Sequence, residues 1–282
     1  MNTFIRFQRS EQNQKTAPYT GEGAYHGASK ARPQNPEEVE ESCPTTVMRM
    51  LREGTGLFTS FDATFTNTFD VQRMLLVPSQ EQIRDDGVTF CWCPFDEALR
   101  EAGPVTKRVL LEMKPLLEGK KRHVYIDSKI QHFSVGDLPV DSKIWHVDGS
   151  ITVRDRRAQE LGHSIVHDMR ARFDCAVPPP RYLAYQSSYN CATQYAVGPV
   201  TVKLPELIIS FDILDSLVRE ADPCVMSQPA GSIVSFDGLS LHRAVPAQAD
   251  EWRLWIRCIE TDREVKLDST IIECYNTVFK AR

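Results

Sequence analysis

The chain has 282 residues, 41% of them apolar, enough for one large domain with a sizeable core. A formal charge of −5 excludes the broad basic field of a general nucleic-acid binder. The eight cysteines include no Cys-x-x-Cys pair, which excludes a zinc ribbon and speaks against a disulfide framework, and no apolar run has the length of a signal peptide or a membrane span. The expectation is a cytoplasmic protein without a membrane partner.

Residues 1–44 read as a mostly irregular arm, rich in Gln, Glu, Gly, Pro and Ser and poor in apolar periodicity. Gly21, Gly23 and Gly27 come near a dinucleotide fingerprint, but the spacing is wrong and no strand precedes them, so they read as a loop. Residues 45–122 read as a helical region packed on the core, with helices over 45–57, 95–103 and 105–121. The last carries a stripe of Val109, Leu110, Met113, Leu116 and Leu117 and ends at Gly119. Cys91 and Cys93 in "CWC" share one face of an extended segment and read as packing residues.

From residue 123 to 282 the texture changes to short β-rich runs: "HVYIDSKIQHFSV", "SKIWHVDG", "RYLAYQSS", "YNCATQYAV", "GSIVSFDG" and "EWRLWIRCIE". Helical interruptions fall at about 155–172 and 206–220. Helices first and spaced short strands afterwards predict a mainly β fold with flanking helices, a sandwich or barrel-like core in one domain overall, with a C-terminal extension.

Candidate chemistry begins at "IWHVDGS". Read as a strand, it puts Ile144, His146 and Asp148 on one face and Trp145 and Val147 on the other, so two potential metal ligands converge. A second histidine, His242, follows "GSIVSFDG" after a short turn. Two histidines and one carboxylate on one face of an octahedral ion leave three positions open, the arrangement of non-haem Fe(II) oxygenases. In the next predicted strand Arg253, Trp255 and Arg257 alternate with an apolar face of Trp252, Leu254, Ile256 and Cys258. An inward-facing guanidinium requires an anionic partner, because burying it unpaired costs several kcal/mol. A dicarboxylate cosubstrate would supply one.

These residues, His146-x-Asp148, distal His242 and Arg253, resemble the Fe(II)- and 2-oxoglutarate-dependent dioxygenase superfamily over roughly residues 120 to 262. The layout is most similar to the phytanoyl-CoA hydroxylase and taurine dioxygenase branches. The resemblance implies a double-stranded β-helix (jelly-roll) core, Fe(II) held by His146, Asp148 and His242, and 2-oxoglutarate and O2 as cosubstrates. It implies succinate and CO2 as coproducts of oxidising a substrate C–H bond. Arg253 would pair with the C5 carboxylate of the cosubstrate as a bidentate fork. Arg257 would contact C1 or a substrate anion, and Thr193 resembles a position at which relatives place a hydroxyl on the cosubstrate. An aspartate at the carboxylate position separates the chain from halogenating relatives, which leave that site for chloride. The substrate classes compatible with this reading are a small molecule, a peptide side chain or a nucleobase.

Other motifs read more plainly. His163 and His167, four apart on a predicted helix, lack the glutamate of a His-Glu-x-x-His protease motif. The Arg-rich run from Arg154 to Arg172 carries Asp155, Glu160 and Asp168 and reads as a solvated helix, placed to border the mouth of the site. No Gly-x-Ser-x-Gly elbow supports a hydrolase. The competing readings are a cupin-like metalloenzyme that uses no 2-oxo acid and a non-catalytic jelly-roll binding module. A scaffold has no need of an arginine aimed at a second carboxylate, which speaks against the binding module, and succinate release separates the three readings.

Overall fold

Alternation of apolar and polar residues in "EWRLWIRCIET" and "HVYIDSKIQHF" produces the two longest strands among the described residues, 11 residues each. A computed structural model describes residues 59–140, 143–149, 151–160, 166–174, 179–265 and 279–280. The predicted arm over 1–44 and the predicted helix over 45–57 lie outside them.

The principal sheet has six strands. β2 (Asp70–Met74), β13 (Ser232–Asp237), β8 (Arg181–Gln186), β15 (Glu251–Thr261), β4 (His123–Phe133) and β3 (Cys93–Pro94) are neighbours in that order, all antiparallel. Its outer face is apolar. Ile126, Ile130, Leu183, Leu254, Ile256 and Cys258 pack there against α2 (Phe95–Glu101) and α3 (Pro104–Met113) through Phe95, Ala98, Val109, Leu110 and Met113. The sequence alternation predicts this face of β15, and the structure has it.

A smaller antiparallel sheet faces the inner side. β12 (Cys224–Ser227), β9 (Gln194–Val197) and β14 (His242–Arg243) are neighbours, and a single bridge from His242 to His146 adds the segment around Trp145–Val147. Tyr195 of β9 meets Tyr182 and Phe236 of the principal sheet in one apolar cluster. Behind the smaller sheet, Trp145, Val147, Ala196 and Leu241 pack with Ile213, Leu214, Leu217 and Val218 of α6 (Phe211–Glu220). The protein is mainly β, built from antiparallel sheets with flanking helices.

Several expectations differ, among them the helix expected over 105–121, which ends at Met113 and continues only as a 3-10 turn to Leu116. The 45–122 region is not helical throughout, because β1 (Ser60–Phe65) pairs with β10 (Val200–Pro205) and β2 with β13; Ala63 and Phe65 alternate into the core. The expected helix over 155–172 contains α4 (Arg156–Glu160), β7 (Val166–Asp168) and α5 (Met169–Phe173). There β7 pairs with β6 (Thr152–Val153) and β11 (Leu207–Ile208), and these pairings outweigh the local helical pattern. His167 therefore sits in a strand, and His163 lies outside the described residues. "CWC" is not extended, since Trp92 has φ 50°, although Cys93 does pack in the core. The remaining described elements are α1 (Gln80–Arg84), a 3-10 turn (Lys114–Leu116), β5 (Asp137–Leu138) and β16 (Phe279–Lys280), which pairs with β5.

The helical layer is tied down by one buried carboxylate. Gly103, the residue before α3, has no capping side chain, and a Cβ there would lie 1.9 Å from the Asp86 carbonyl oxygen. Asp86 approaches instead from a distant loop. Its Oδ1 accepts from Val105 N–H at 2.6 Å, and its Oδ2 accepts from Thr106 N–H at 3.0 Å and from the Thr106 hydroxyl. It serves as the N-cap that α3 lacks locally. Asp86→Ala is expected to destabilise the protein by about 2–4 kcal/mol, because it strands buried donors that were bound to a charged acceptor; urea denaturation of wild type and variant measures this.

Candidate metal centre

His146, Asp148 and His242 come together although they sit on separate segments. One potential ligand atom from each lies within 4.8 Å of the others. His146 and His242 face each other across the bridge between their backbones, with ring centroids 4.4 Å apart, and His242 Nε2 lies 3.5 Å from Asp148 Oδ2. The segment is bridge-like rather than a full strand, yet its alternation holds: Trp145 and Val147 are buried in the core behind, while His146 and Asp148 point to the inner side. Gly149 ends the segment with φ 64°, where a Cβ would come within 3.2 Å of the Tyr182 hydroxyl.

Both imidazoles are oriented by the backbone. His146 Nδ1–H donates to the Ile144 carbonyl at 2.9 Å, and His242 Nδ1–H donates to the Ser240 carbonyl at 3.0 Å. Each ring thereby keeps Nε2 as its lone-pair nitrogen, the tautomer a metal ligand needs. Burial would raise the Asp148 carboxyl, but the charges of Arg257 and the two histidines outweigh it and hold the group well below the usual carboxylate range. Burial pushes His242 down to about 4, against 6.5 for a free imidazole. A carboxylate that stays ionised beside a neutral imidazole is a donor set ready for a divalent cation, so the residues present fit a metal ion.

The ladder between β4 and β15 pairs Arg253 with Gln131, Trp255 with Lys129 and Arg257 with Asp127. Cross-strand partners share a face, so all of these point inward, opposite the apolar residues that meet the helices. Arg253 is 1% exposed. Its Nη2 donates to Gln186 Oε1 at 3.2 Å, its Nε has no hydrogen-bond partner, and no carboxylate among the described residues pairs with it. Burial lowers its pKa to about 10, with Cys191, Tyr195 and Glu251 partly offsetting this. Gln186 is itself held, since its Nε2 donates to the Gln228 carbonyl at 2.7 Å.

The other two predicted residues are placed differently from each other. Thr193 is half-buried near Arg253, because its N–H shares the acceptor Gln186 Oε1 at 3.2 Å; its hydroxyl makes no hydrogen bond with the described residues. Arg257, expected to contact C1 or a substrate anion, is already paired with two carboxylates, while its Nε has no hydrogen-bond partner. It is engaged by Asp148 through Nη1 and by Asp127 Oδ2 through Nη2 at 2.7 Å. Burial would lower its pKa, but the two carboxylates raise it above that of a free arginine.

Sequence reasoning did not single out Asp127 and Gln186. The available signal was the polar alternation Asp127, Lys129, Gln131 opposite Ile126, Ser128 and Ile130 in a strand with the length of a core strand. The His167 ring is tilted against Phe211 with centroids 4.4 Å apart, and the Phe211 centroid lies 6.2 Å from that of His146. No protein-family model matches the chain, and no curated protein sequence matches it. Among the described residues, no helix is long and apolar enough to cross a membrane.

The depressed His242 pKa gives a pH prediction. Between pH 6.5 and about 4 the unfolded chain carries a proton on this histidine that the folded chain does not, so stability falls as pH falls through that window. The slope contributed by one such group is about 1.4 kcal/mol per pH unit. Urea denaturation of the metal-free protein at pH 7 and pH 5 should show the loss, and His242→Gln should reduce it.

Proposed function

We propose that the chain is a cytoplasmic Fe(II)- and 2-oxoglutarate-dependent dioxygenase on a jelly-roll core, oxidising a C–H bond of a small-molecule or peptide substrate. The observation that carries this reading is the buried Arg253 guanidinium, without a carboxylate partner among the described residues, on the inner face of the principal sheet, which the smaller sheet with the His146, Asp148 and His242 trio faces. A scaffold that used the trio for stability alone would have no use for such a cation, whose burial costs several kcal/mol until an anion joins it.

The strand pairing supports the fold part of the proposal. Taken in chain order, the core segments are β4, 145–147, β8, β9, β12, β13, β14 and β15. The first pairs with the last, the second with the seventh, the third with the sixth and the fourth with the fifth. Such nesting is a long hairpin folded on itself, and the contacts β8 with β15 and β9 with β14 roll it into two facing sheets. β10, β11 and α6 are an insertion between the fourth and fifth segments. The free thiols among the described residues, Cys91, Cys93, Cys191, Cys224 and Cys258, fit a reducing compartment.

Held by His146, Asp148 and His242, Fe(II) would supply the activation of dioxygen that couples decarboxylation of a 2-oxo acid to oxidation of the substrate. The protein's own part is placement. His146, Asp148 and His242 would hold the metal through side chains already oriented by backbone carbonyls and by Arg257. Arg253 takes the distal carboxylate of the cosubstrate in a water-poor interior, with Gln186 fixing the guanidinium plane. Tyr182, Tyr195 and Phe236 form the apolar wall beside His242 that keeps water from this side of the site.

His146→Ala, Asp148→Ala and His242→Ala are each expected to abolish equimolar Fe(II) or Co(II) binding, because the two remaining ligands cannot complete a facial set. Isothermal titration calorimetry on the folded variants checks this, and wild-type affinity in any one of them removes that residue from the centre. Aerobic Fe(II) protein should convert 2-oxoglutarate slowly to succinate without added substrate; absence of succinate across a broad substrate panel refutes the oxygenase reading. Arg253→Ala should weaken 2-oxoglutarate binding by roughly 30- to 1000-fold, about 2–4 kcal/mol, with metal binding intact, and Arg253→Lys should recover part of the loss. Anaerobic 2-oxoglutarate titration followed by the charge-transfer band measures the change.

A further inference from the structure

The second inward guanidinium, Arg257, joins two carboxylates with different roles. One Nη donates to Asp148, a member of the trio, and the other donates to Asp127 Oδ2 at 2.7 Å. Asp127 touches none of the trio directly among its described hydrogen bonds, yet it is 9% exposed and both its oxygens are engaged. Oδ1 accepts the Trp92 N–H at 2.7 Å.

That last contact is made by a residue in an uncommon conformation. Trp92 has φ 50°, in the left-handed region that a bulky non-glycine residue seldom occupies. Its indole stands edge-on to Tyr125 with ring centroids 5.8 Å apart, and the adjoining Cys93 is paired with Ile126 of β4. The Trp92 N–H therefore holds Asp127 from one side while the β4–β15 ladder brings Arg257 to it from the other. The guanidinium is further enclosed by the rings of Tyr182 and Trp255, each 5.3 Å away. A continuous set of fixed contacts runs from the Trp92 backbone through Asp127 and Arg257 to Asp148.

We infer that Asp127 and Arg257 form a positioning pair that orients the Asp148 carboxylate for a metal ion and keeps its negative charge available to that ion. The inference rests on the trio being the metal centre. The Asp148 backbone is held, since Arg172 donates to its carbonyl oxygen and the adjoining Trp145 and Val147 are packed in the core, but among the described hydrogen bonds only Arg257 donates to its side chain. Arg257 supplies the restraint. Alone, however, a guanidinium on Asp148 would compete with a divalent cation for the same oxygen. Asp127 lessens that competition: it takes the second Nη and offsets the guanidinium charge, so the pair adds orientation without net positive charge. Neither residue ligates metal; both act through Asp148.

The test is Co(II) titration of the full chain, read by d–d absorption, with thermal unfolding of each metal-free variant alongside. Asp127→Asn keeps the shape and removes the charge. It is expected to weaken Co(II) binding by about 10- to 100-fold and to alter the d–d spectrum, a signature that a change in overall stability would not produce. In an Arg257→Met background the same Asp127→Asn change should have no further effect on Co(II) affinity, because Asp127 acts only through the guanidinium. Arg257→Lys is an independent arm should either variant fail to fold: it keeps the charge but cannot span both carboxylates, and should also lose affinity and change the spectrum. Wild-type affinity and spectrum in the folded Asp127→Asn or Arg257→Lys protein overturns the inference, as does an equal loss from Asp127→Asn in both backgrounds. If the wild-type chain binds no Co(II), the trio reading itself falls, and the positioning role falls with it.

Discussion

The antiparallel ladder between β4 and β15 is the constraint on which the rest of the structure depends. It runs from Glu251 opposite Phe133 to Thr261 opposite His123 and fixes which side chains of both strands face the helices and which face the smaller sheet. Side chains alternate with a period of two, so a slip of one residue would carry Arg253, Arg257, Asp127 and Gln131 to the helical face and turn Leu254, Ile256, Ile126 and Ile130 inward. The apolar cluster with α2 and α3 opposes such a slip, since those aliphatic side chains would lose their burial. Hydrophobic packing on one face thus determines the geometry of the charged groups on the other.

Those charged groups balance. Asp127 and Asp148 bring two negative charges to the interior, and Arg253 and Arg257 bring two positive ones, yet the pairing is uneven. Arg257 engages both carboxylates, and Arg253 engages none among the described residues. These four charges sum to zero but are polarised locally, with an excess of negative charge at the trio and an excess of positive charge at Arg253. A divalent cation at the first and a dianionic 2-oxo acid spanning to the second would add no net charge and would satisfy both ends. Low local dielectric makes such matching matter far more here than at a surface. The same reasoning explains why the aromatic wall of Tyr182, Tyr195 and Phe236 lies beside the site: it lowers the dielectric in which these charges act.

Short-range chemical signals placed the most important residues. Alternation alone gave the inward face of β15 and the outward turn of Trp145 and Val147, because strand geometry leaves a side chain two directions and burial selects one. His146, Asp148, His242 and Arg253 were legible as candidates since their residue types have few uses together. Local pattern failed where pairing partners decided the outcome. The Arg-rich segment expected as a helix yields β7 because β6 and β11 flank it, and β1 and β2 form in a region expected to be helical because β10 and β13 offer them an edge.

By itself the sequence determined the residue types of the trio, the amphipathic faces of the long strands and the composition of a chain able to bury a large core. Only the tertiary structure decided that Arg257 belongs to Asp148 and Asp127, that Gln186 orients Arg253, and that Asp86 caps a helix far along the chain. Each of these is a contact between residues remote in sequence, fixed by ladder register and layer packing. A polar side chain also carries no local mark of its partner, since its preference for one depends on which charges and donors the fold brings within about 3 Å.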